Sequence, residues 1–438
     1  MTGKYGVKNK ITKMLTPEAA IVFILLAGLC VRLIYAFSTP WGFYQHDIGG
    51  EVGHKAVIEF IATNLKLCDT TNMWQFNHPQ LHYIIYALPY RVFISLTNNI
   101  DFTMEILEII CVFASLISVV LVKKILKLLN FSKWQVVFGT AFFTFFPSNI
   151  LMSRYLNNDS TLIIFTLFAV LFALKWYKSK SIKDLVFTAV FTACSMCTKS
   201  SGILLLPILG LLFLCSFLFN KKDITSIKGF FVQIGIFFLV FLPLPAFIFG
   251  RMYVLFRQPL GYIATPGGLP ETGNVFLNFF MPLDIFKDPF AIDPASPDIV
   301  TGLHYPEYIL KTALFGEFGY DESLILPARI ILAFALIFVV MCIVFCTVKL
   351  IRGISDKPLA IFVAAGIFLP VVFHISVCIK LPYACTYNYR YLAPFMIFTV
   401  ITVTKMFKDL CGKGIPKITA WVCLTGFSVA SSVFYVVK

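Results

Sequence analysis

The chain has 438 residues, of which 59% are hydrophobic and only 13% are charged. Soluble domains carry about 25% charged residues, so this composition excludes an ordinary soluble protein and indicates a polytopic membrane protein. The formal net charge of +14 reflects the placement of basic loops in a membrane protein, and it is no evidence for a nucleic-acid partner.

Apolar segments of membrane-spanning length recur along the chain. A transmembrane helix needs about 20 mostly apolar residues, because the lipid core is about 30 Å thick and offers the backbone no hydrogen-bond partners. This length criterion predicts an all-α protein with about eleven transmembrane helices. The predicted spans cover residues 18–37, 104–122, 135–153, 159–176, 184–198, 201–219, 229–249, 325–348, 358–378, 391–405 and 418–437.

The loops on the two sides of the membrane differ in charge. The first side holds 22 of the 36 Lys and Arg residues but only five of the 22 Asp and Glu residues; it comprises the N-terminal tail and the loops near 123–134, 175–184, 220–228, 349–357 and 405–417. The positive-inside rule places this side in the cytoplasm. We therefore predict a retained N-terminal anchor, a cytoplasmic N-terminus and an outer C-terminus, in a bacterial plasma membrane or, in a eukaryote, the endoplasmic reticulum membrane.

We interpret residues 1–438 as one transmembrane domain with two long outer segments. The first, residues 38–103, is expected to contain an amphipathic surface helix over 49–66, with Val52, Ala56, Phe60 and Ile61 on one face. An apolar juxtamembrane helix, shortened by Pro89, is predicted from Leu81 to Leu96. The second segment, residues 250–324, is rich in turn residues and is expected to fold over the outer mouth of the domain.

Charged residues gather at the outer ends of the predicted spans. Arg offers a bidentate fork and Lys a point charge for a lipid-bound phosphate. A nearby carboxylate suits a general base that activates an acceptor. The candidates are Arg32, Arg154, Asp159, Lys199 and Arg390 at span ends, with Asp47 and the imidazoles of His46, His54, His78 and His82 in the first outer segment.

Each of these residues also has an ordinary structural interpretation. A lone loop aspartate such as Asp47 is commonly solvated, and a cation at a span end can extend to the lipid headgroups. His78 precedes Pro79 and can serve only a turn. Asp159 or Ser160 can cap the fourth span.

The cysteines suggest one structural link. Most of the twelve lie in apolar segments, where they behave as small hydrophobic residues. Cys68 and Cys385 both fall on the predicted outer side, so the sequence leaves open whether they form a disulfide.

In several motifs the chain resembles the polyprenyl-phosphate-sugar glycosyltransferases of the GT-C fold, in particular the protein O-mannosyltransferases and the lipid A aminoarabinose transferases. The motifs are "VRLIYAF" with Arg32, "QHDIGGEVGH" with Asp47 and His54, and "FNHPQLHY" with His78, followed by "SRYLNNDS", "CTKSSGILLLP", "KTALFGEFGY" and "NYRYLAPF". The resemblance extends over nearly the whole chain and implies a GT-C fold with amphipathic juxtamembrane helices in the first outer loop.

The resemblance implies transfer of a monosaccharide, mannose or another hexose or pentose, from a polyprenyl-phosphate donor with inversion. Asp47 would be the general base, with Glu51, His54 and His78 as further catalytic candidates. Arg32, Arg154, Lys199 and Arg390 would bind the donor phosphate, and Arg32 would also support the Asp47 loop. Asn158, Asp159 and Tyr389 are candidates for contacts with the sugar or acceptor.

The partners implied are the lipid-linked donor, membrane lipids and a protein, glycan or lipid acceptor, with no nucleic acid. This chain departs from the mannosyltransferase pattern because Ile48 follows Asp47 where the family has a second acid, and because Gln80 follows His78-Pro79. The outer segments contain no Asp-x-Asp motif, so neither a metal nor another cofactor is expected. A transporter or flippase for a polyprenyl-linked sugar is the alternative function.

Overall fold

The computed structural model of the chain describes residues 16–70, 74–219, 227–265, 269–280, 284–291, 303–352, 356–409 and 414–438. The basic tail from Lys4 to Lys13, the loop acid Asp223 and the predicted turn sequence "DPASPD" lie outside these ranges.

The described part of the chain is built from α-helices joined by short loops and 3₁₀ turns. The helices are α1 (Pro17–Phe37), α2 (His54–Asn64), α3 (Leu81–Thr97), α4 (Ile100–Leu128), α5 (Lys133–Thr144), α6 (Pro147–Leu151), α7 (Asn158–Ser179), α8 (Ile182–Thr198), α9 (Leu205–Phe219), α10 (Ile227–Phe241), α11 (Pro243–Phe256), α12 (Val275–Asn278), α13 (Tyr305–Phe315), α14 (Ile325–Arg352), α15 (Lys357–Lys380), α16 (Met396–Asp409) and α17 (Ile415–Val437). The 3₁₀ turns are Trp74–Asn77, Met152–Arg154, Ser200–Leu204, Glu322–Leu324, Ala384–Tyr387, Tyr389–Tyr391 and Ala393–Phe395.

Seven helices of the described chain are long and apolar enough to cross a membrane: Pro17–Phe37, Ile100–Leu128, Asn158–Ser179, Ser200–Phe219, Glu322–Lys349, Lys357–Lys380 and Ile415–Val437. The count reaches nine if each of two bent pairs is one span; α5 with the segment Pro147–Arg154 bends by 65°, and α10 with α11 by 50°. Two predicted spans, at 184–198 and 391–405, correspond to α8 with 17 residues and α16 with 14. The all-α, polytopic membrane fold is confirmed, and the count of eleven stays a prediction.

Side-chain caps fix where several helices begin. Thr16 accepts a hydrogen bond from the Ala19 amide at the start of α1, and Asn99 accepts one from the Phe102 amide at the start of α4. α7 is capped by Asn157, whose side chain accepts from the Asp159 amide at 3.1 Å. The predicted cap at Asp159 or Ser160 is therefore wrong, because the Asp159 carboxylate is engaged in an ion pair instead.

Polar contacts join the helix ends into two groups at opposite ends of the bundle. One group pairs Lys133 with Glu18 at 2.7 Å and Lys349 with Asp409 at 2.6 Å. All of these residues belong to the side that the sequence predicts to be cytoplasmic. The other group joins residues that the sequence places outside, including Lys199 with Asp159. The contacts therefore agree with the predicted alternation of loops, while the orientation in the membrane stays a prediction.

The two helices of the first outer segment pack against each other and against the start of α4. The buried residues of α2 are His54, Val57, Ile58, Ile61 and Ala62. The predicted apolar face is wrong only at Val52, since Ile61 is buried and Ala56 and Phe60 are half-buried against the same core. The reason is that α2 begins only at His54, after a tight turn, so that Val52 lies outside the helix and is 49% exposed. The predicted helix at Leu81 to Leu96 is confirmed as α3, with Pro89 inside it.

The cysteines of the described chain are unpaired. Cys68 is buried and Cys385 is half-buried, and neither forms a disulfide. The disulfide that the sequence left open between them is absent from this structure.

Candidate active site

Asp47 lies in a compact turn between α1 and α2. Its φ of 55° is in the left-handed region, where aspartate is one of the tolerated residues. The Asp47 carbonyl accepts a hydrogen bond from the His54 amide at 2.7 Å, and the Ile48 carbonyl accepts one from the Lys55 amide at 3.1 Å. These bonds fold the turn against the first residues of α2 and leave the Asp47 side chain 44% exposed.

Arg390 brings a cation to this carboxylate from 343 residues further along the chain. Its Nη2 lies 3.4 Å from Asp47 Oδ2, and the same nitrogen is 3.2 Å from the hydroxyl oxygen of Tyr391. Arg390 sits in a short 3₁₀ turn that begins with Asn388, whose side chain accepts a hydrogen bond from the Arg390 amide at 2.8 Å. The guanidinium is 10% exposed, so it is held at the edge of the interior rather than in open solvent.

Lys199 forms a second charged pair beside the first. Its Nζ lies 2.5 Å from Asp159 Oδ1 and 4.7 Å from the centre of the Tyr391 ring. Tyr391 therefore separates two cations, with the Lys199 ammonium over its ring and the Arg390 guanidinium at its hydroxyl. Burial lowers the pKa of Lys199, while the neighbouring Asp159 carboxylate acts in the opposite direction.

Two histidines of the first outer segment stack on each other. The rings of His54 and His78 lie 6.1 Å apart at an angle of 8°, and His54 Nδ1 is 2.8 Å from the Tyr83 hydroxyl. Burial and then the Lys199 charge lower the pKa of His78 to about 4. Both effects disfavour the charged imidazole, so His78 is neutral near pH 7 and can act there only as a neutral hydrogen-bonding group.

A further carboxylate, Glu317, approaches the site from the loop after α13. Its Oε1 accepts a hydrogen bond from the Tyr308 hydroxyl at 3.0 Å, and its Oε2 lies 3.7 Å from His46 Nδ1. The other ring nitrogen of His46 is 3.2 Å from the Asn388 side-chain nitrogen. Burial raises the pKa of Glu317 to about 7, although the charge of Arg390 works against this shift. The sequence interpretation included the motif around Glu317 but assigned no role to the residue.

Arg32 does not join this group. Its side chain donates hydrogen bonds to the carbonyls of Gly28 at 2.9 Å, Thr144 at 2.9 Å and Asn149 at 3.3 Å. Two of these carbonyls flank the break between α5 and α6, where helical hydrogen bonding is interrupted. The expectation that Arg32 supports the Asp47 loop or contacts a phosphate is therefore corrected: it binds the carbonyls around a helix break.

Arg154 is likewise committed elsewhere. It forms a buried ion pair with Glu108, with Arg154 Nε 2.8 Å from Glu108 Oε2, and it donates to the carbonyls of Thr39 at 3.1 Å and Pro40 at 2.8 Å. With its donors occupied in this way, Arg154 fits a phosphate ligand poorly. It holds the start of the loop that leads to Asp47.

Glu108, on α4, also holds the loop that leads to Asp47. It accepts hydrogen bonds from the Gly42 amide at 2.9 Å and from the Gln45 side chain, and Gln45 in turn accepts from the Leu156 amide at 2.9 Å. Glu108 was not among the predicted site residues, although it lies within the predicted apolar span 104–122. An acidic residue inside an apolar span could have identified it, because a charge within a membrane-spanning helix needs a polar or charged partner.

The remaining predicted residues are less closely placed. Glu51 is exposed and has no hydrogen bond or ion pair to any described residue. Asn158 is buried beside Asp159, with its side-chain nitrogen unpartnered within the described chain. Tyr389 directs its ring toward Phe146, with 6.1 Å between ring centres, so Tyr391 replaces it at the charged cluster.

The cluster combines the exposed Asp47 carboxylate, the Arg390 and Lys199 cations, the Asp159 carboxylate paired with Lys199, and neutral polar groups at one end of the bundle. Such cations can hold a phosphate, and the Asp47 carboxylate can accept a proton from an incoming hydroxyl or amide. Among the described residues, no three His, Cys, Asp or Glu side chains are grouped as metal ligands.

Part of the chain matches a known protein family. Residues 96–257, about a third of the chain, match the dolichyl-phosphate-mannose-protein mannosyltransferase family. A comparison with curated protein sequences gives no match.

Several solved structures are similar. An oligosaccharyltransferase of Archaeoglobus fulgidus, tethered to an acceptor peptide, aligns with a TM-score of 0.54 at 11% identity, over 95% of this chain and 55% of that chain. The protein O-mannosyltransferase complex of S. cerevisiae bound to its sugar donor aligns at 0.43 and 17% identity, over 60% of this chain and 39% of that one. ArnT from Cupriavidus metallidurans in the apo state aligns at 0.40 and 12% identity, over 89% and 78%.

The chain spans less than two thirds of the length of the yeast and archaeal proteins it matches. At these identities the archaeal alignment bears on the fold alone. The chain therefore has the GT-C fold, and its central part matches the dolichyl-phosphate-mannose-protein mannosyltransferases, as its motifs predict.

Proposed function

We propose that this chain is a membrane glycosyltransferase that moves a monosaccharide from a polyprenyl-phosphate donor to an acceptor on the outer face. The main support is the contact between Asp47 and Arg390 beside the Lys199–Asp159 pair. In this arrangement a carboxylate and a phosphate-binding cation lie within a few ångströms of each other.

Asp47 is the general base in this proposal. Its side chain is 44% exposed, which allows it to meet an acceptor hydroxyl or amide. Asp47 takes the acceptor proton as the acceptor oxygen or nitrogen forms a bond to the anomeric carbon. The bond from that carbon to the phosphate oxygen breaks, and polyprenyl phosphate leaves. Attack opposite to the leaving phosphate inverts the anomeric configuration.

Arg390 and Lys199 bind the donor phosphate in this proposal. The negative charge of the leaving phosphate grows during bond cleavage, so cations placed beforehand stabilise the transition state more than the bound donor. Tyr391 separates their charged groups and adds a hydroxyl near the Arg390 guanidinium. Arg32 and Arg154 are left out of the phosphate site because their donors bind backbone carbonyls and Glu108.

The activity is tested by incubating the purified protein with short-chain polyprenyl-phosphate mannose and peptide, glycan and lipid acceptors in turn. We expect release of polyprenyl phosphate and a product whose anomeric configuration is inverted. Movement of the lipid between leaflets of a vesicle without release of polyprenyl phosphate would contradict the proposal and support a flippase. A product with retained configuration would contradict direct displacement by an Asp47-activated acceptor.

A further inference from the structure

Glu317 is a buried carboxylate with one oxygen that lacks a partner. Its side chain is 1% exposed, and Tyr308 donates a hydrogen bond to Oε1 at 3.0 Å. Oε2 has no hydrogen-bond partner among the described residues, although the Asn388 side chain lies nearby and His46 Nδ1 is 3.7 Å away. That separation is too long for a hydrogen bond. A buried carboxylate oxygen without a partner can accept a hydrogen bond from a donor outside the chain, either a water molecule or a bound ligand.

Complementary groups surround this oxygen. Arg390 Nε is also buried and unpartnered, although Nη2 of the same guanidinium contacts Asp47. A small cavity of about 10 Å³ lies beside Glu317; its nine lining residues include the adjacent Gly316 and also His46, Asn388 and Arg390, but not Glu317 itself. This is space for one water-sized group, such as a single hydroxyl. Glu317 Oε2 therefore offers a hydrogen-bond acceptor, and Arg390 and Asn388 offer donors, beside a space that can hold one hydroxyl group.

Arg390 connects this cavity with the charged cluster. Arg390 is common to both, since it lines the cavity and contacts Asp47. In the proposed reaction the transferred sugar lies between the phosphate ligands and the base. The hydroxyl groups of that sugar then lie near Arg390 and within reach of the cavity that Arg390 lines.

We infer that Glu317, together with His46 and Asn388, forms a subsite for a hydroxyl group of the transferred sugar. This inference rests on the proposed function, because it assumes a donor whose phosphate binds Arg390. The sugar hydroxyl donates a hydrogen bond to Glu317 Oε2 and accepts one from the Arg390 guanidinium or the Asn388 amide. Glu317 is thereby a third carboxylate of the site, beside Asp47 and Asp159, whereas Glu51 is exposed and makes no polar contact with the described residues of the site.

The subsite is tested by binding, so that turnover is not required. We compare the dissociation constants of short-chain polyprenyl phosphate and of the matching polyprenyl-phosphate mannose for the wild-type protein, Glu317→Ala and Glu317→Gln. The wild type is expected to bind the sugar-bearing lipid tenfold or more tighter than the bare phosphate, since hydrogen bonds to charged groups are among the stronger ones. Glu317→Ala should lose that preference and keep its affinity for polyprenyl phosphate, which also shows that it folds. Glu317→Gln, which preserves shape, should lose part of it.

Glu322→Gln is the matched control, because Glu322 is an exposed acid five residues further along the same loop. It should bind both lipids like the wild type. The inference is overturned if the wild type shows no preference for the sugar, if both Glu317 variants keep that preference, or if they weaken binding of the two lipids by the same factor. If the variants lose the preference but the wild type never releases polyprenyl phosphate, the subsite stands and the proposed enzymatic activity fails.

Discussion

At the scale of single residues, the position of Asp47 depends on a glycine six residues later. A Cβ atom at Gly53 would lie 2.3 Å from the Gly49 carbonyl oxygen and 2.7 Å from the Asp47 carbonyl oxygen. Because these are backbone atoms, they cannot move aside without moving the turn that carries the carboxylate. At Gly49 itself, a Cβ atom would meet nothing within 4 Å.

We predict that Gly53→Ala strongly reduces transfer activity, by about tenfold or more, because it displaces the Asp47 turn. Gly49→Ala, in the same turn, should keep most of the activity. Initial rates with purified variants, compared at matched folded protein, check this prediction. Equal activities of the two variants would show that the turn tolerates a side chain at position 53.

Glu317 should give the stability of the protein a specific dependence on pH. Burial raises its pKa from the ordinary value of 4.5 to about 7 in the folded protein. The folded state therefore binds the proton more tightly than the unfolded state, so the stabilising contribution is complete below pH 4.5. It is lost as the pH rises to about 7. A shift of this size corresponds to about 3 kcal/mol.

We predict that the wild-type protein loses stability between pH 5 and pH 8 relative to Glu317→Gln, which cannot ionise. Thermal unfolding of both proteins in the same detergent at the two pH values measures the difference. If the melting temperatures of the two proteins change in parallel, Glu317 does not titrate in this range and the assigned burial effect is wrong.

The sequence singled out three residues that lie close together in the structure. It predicted that Asp47, Lys199 and Arg390 would lie on one side of the membrane, because Lys199 and Arg390 are at the ends of predicted spans and Asp47 is in the first outer segment. It could not separate these residues from Arg32 and Arg154, whose partners are backbone carbonyls and Glu108. The ends of the predicted spans indicate on which side of the membrane a cation lies. They do not indicate which hydrogen-bond acceptors contact that cation in the folded protein.

At the scale of elements, the Asp47 loop is anchored to the helices by the buried pair of Arg154 and Glu108. The pair joins α4 to the 3₁₀ turn before α7, and both partners also bind the loop between α1 and α2. Removing one member leaves a buried charge without its counter-ion. Loss of one partner of a buried ion pair costs about 3 kcal/mol or more.

We predict that Glu108→Gln lowers the melting temperature clearly and that adding Arg154→Gln lowers it by less than the sum of the two single effects. Thermal unfolding of the single and double variants in detergent provides the double-mutant cycle. The control is Asp69→Asn, which breaks the exposed pair with Lys66 and should change stability by about 0.5 kcal/mol or less. An effect of Glu108→Gln no larger than that of the control would contradict the anchoring role.

Two breaks inside predicted membrane-spanning helices were not predicted from the sequence. Hydropathy windows at 135–153 and 229–249 found apolar stretches, but each is a bent pair in the structure. The breaks fall before Pro147 and Pro243, where proline removes a backbone donor. In the first pair Arg32 binds the carbonyls on both sides of the break. That compensation comes from α1, more than a hundred residues away, and no local window contains it.

At the scale of the whole molecule, the fold places the charged cluster and the Lys-rich loops at opposite ends of the bundle. The sequence predicted this separation from charge alone, because the positive-inside rule needs only the sequence of the loops. It predicted less of the second outer segment. There, Glu317 accepts a hydrogen bond from Tyr308 and lies beside His46 of the first outer segment, and His46 in turn contacts Asn388, which lies far from it in sequence.

We predict that the cluster faces the outside of the cell. Cysteine is introduced at Glu322 on the cluster end and, in a separate variant, at Lys133 on the opposite end. A membrane-impermeant maleimide applied to intact cells should label Glu322→Cys above the parent protein and leave Lys133→Cys at the parent level until the membrane is permeabilised. The reverse pattern would invert the proposed topology.

The central claim is that Asp47 is the base of a lipid-dependent glycosyl transfer. The most direct measurement is polyprenyl phosphate release from polyprenyl-phosphate mannose by Asp47→Asn, beside the wild type and the exposed acid variant Asp69→Asn. We expect Asp47→Asn to lose at least about a hundredfold in rate while it unfolds at a temperature near that of the wild type, since general bases contribute factors of this order. Asp69→Asn should retain the wild-type rate. Full activity of a folded Asp47→Asn protein would contradict the account.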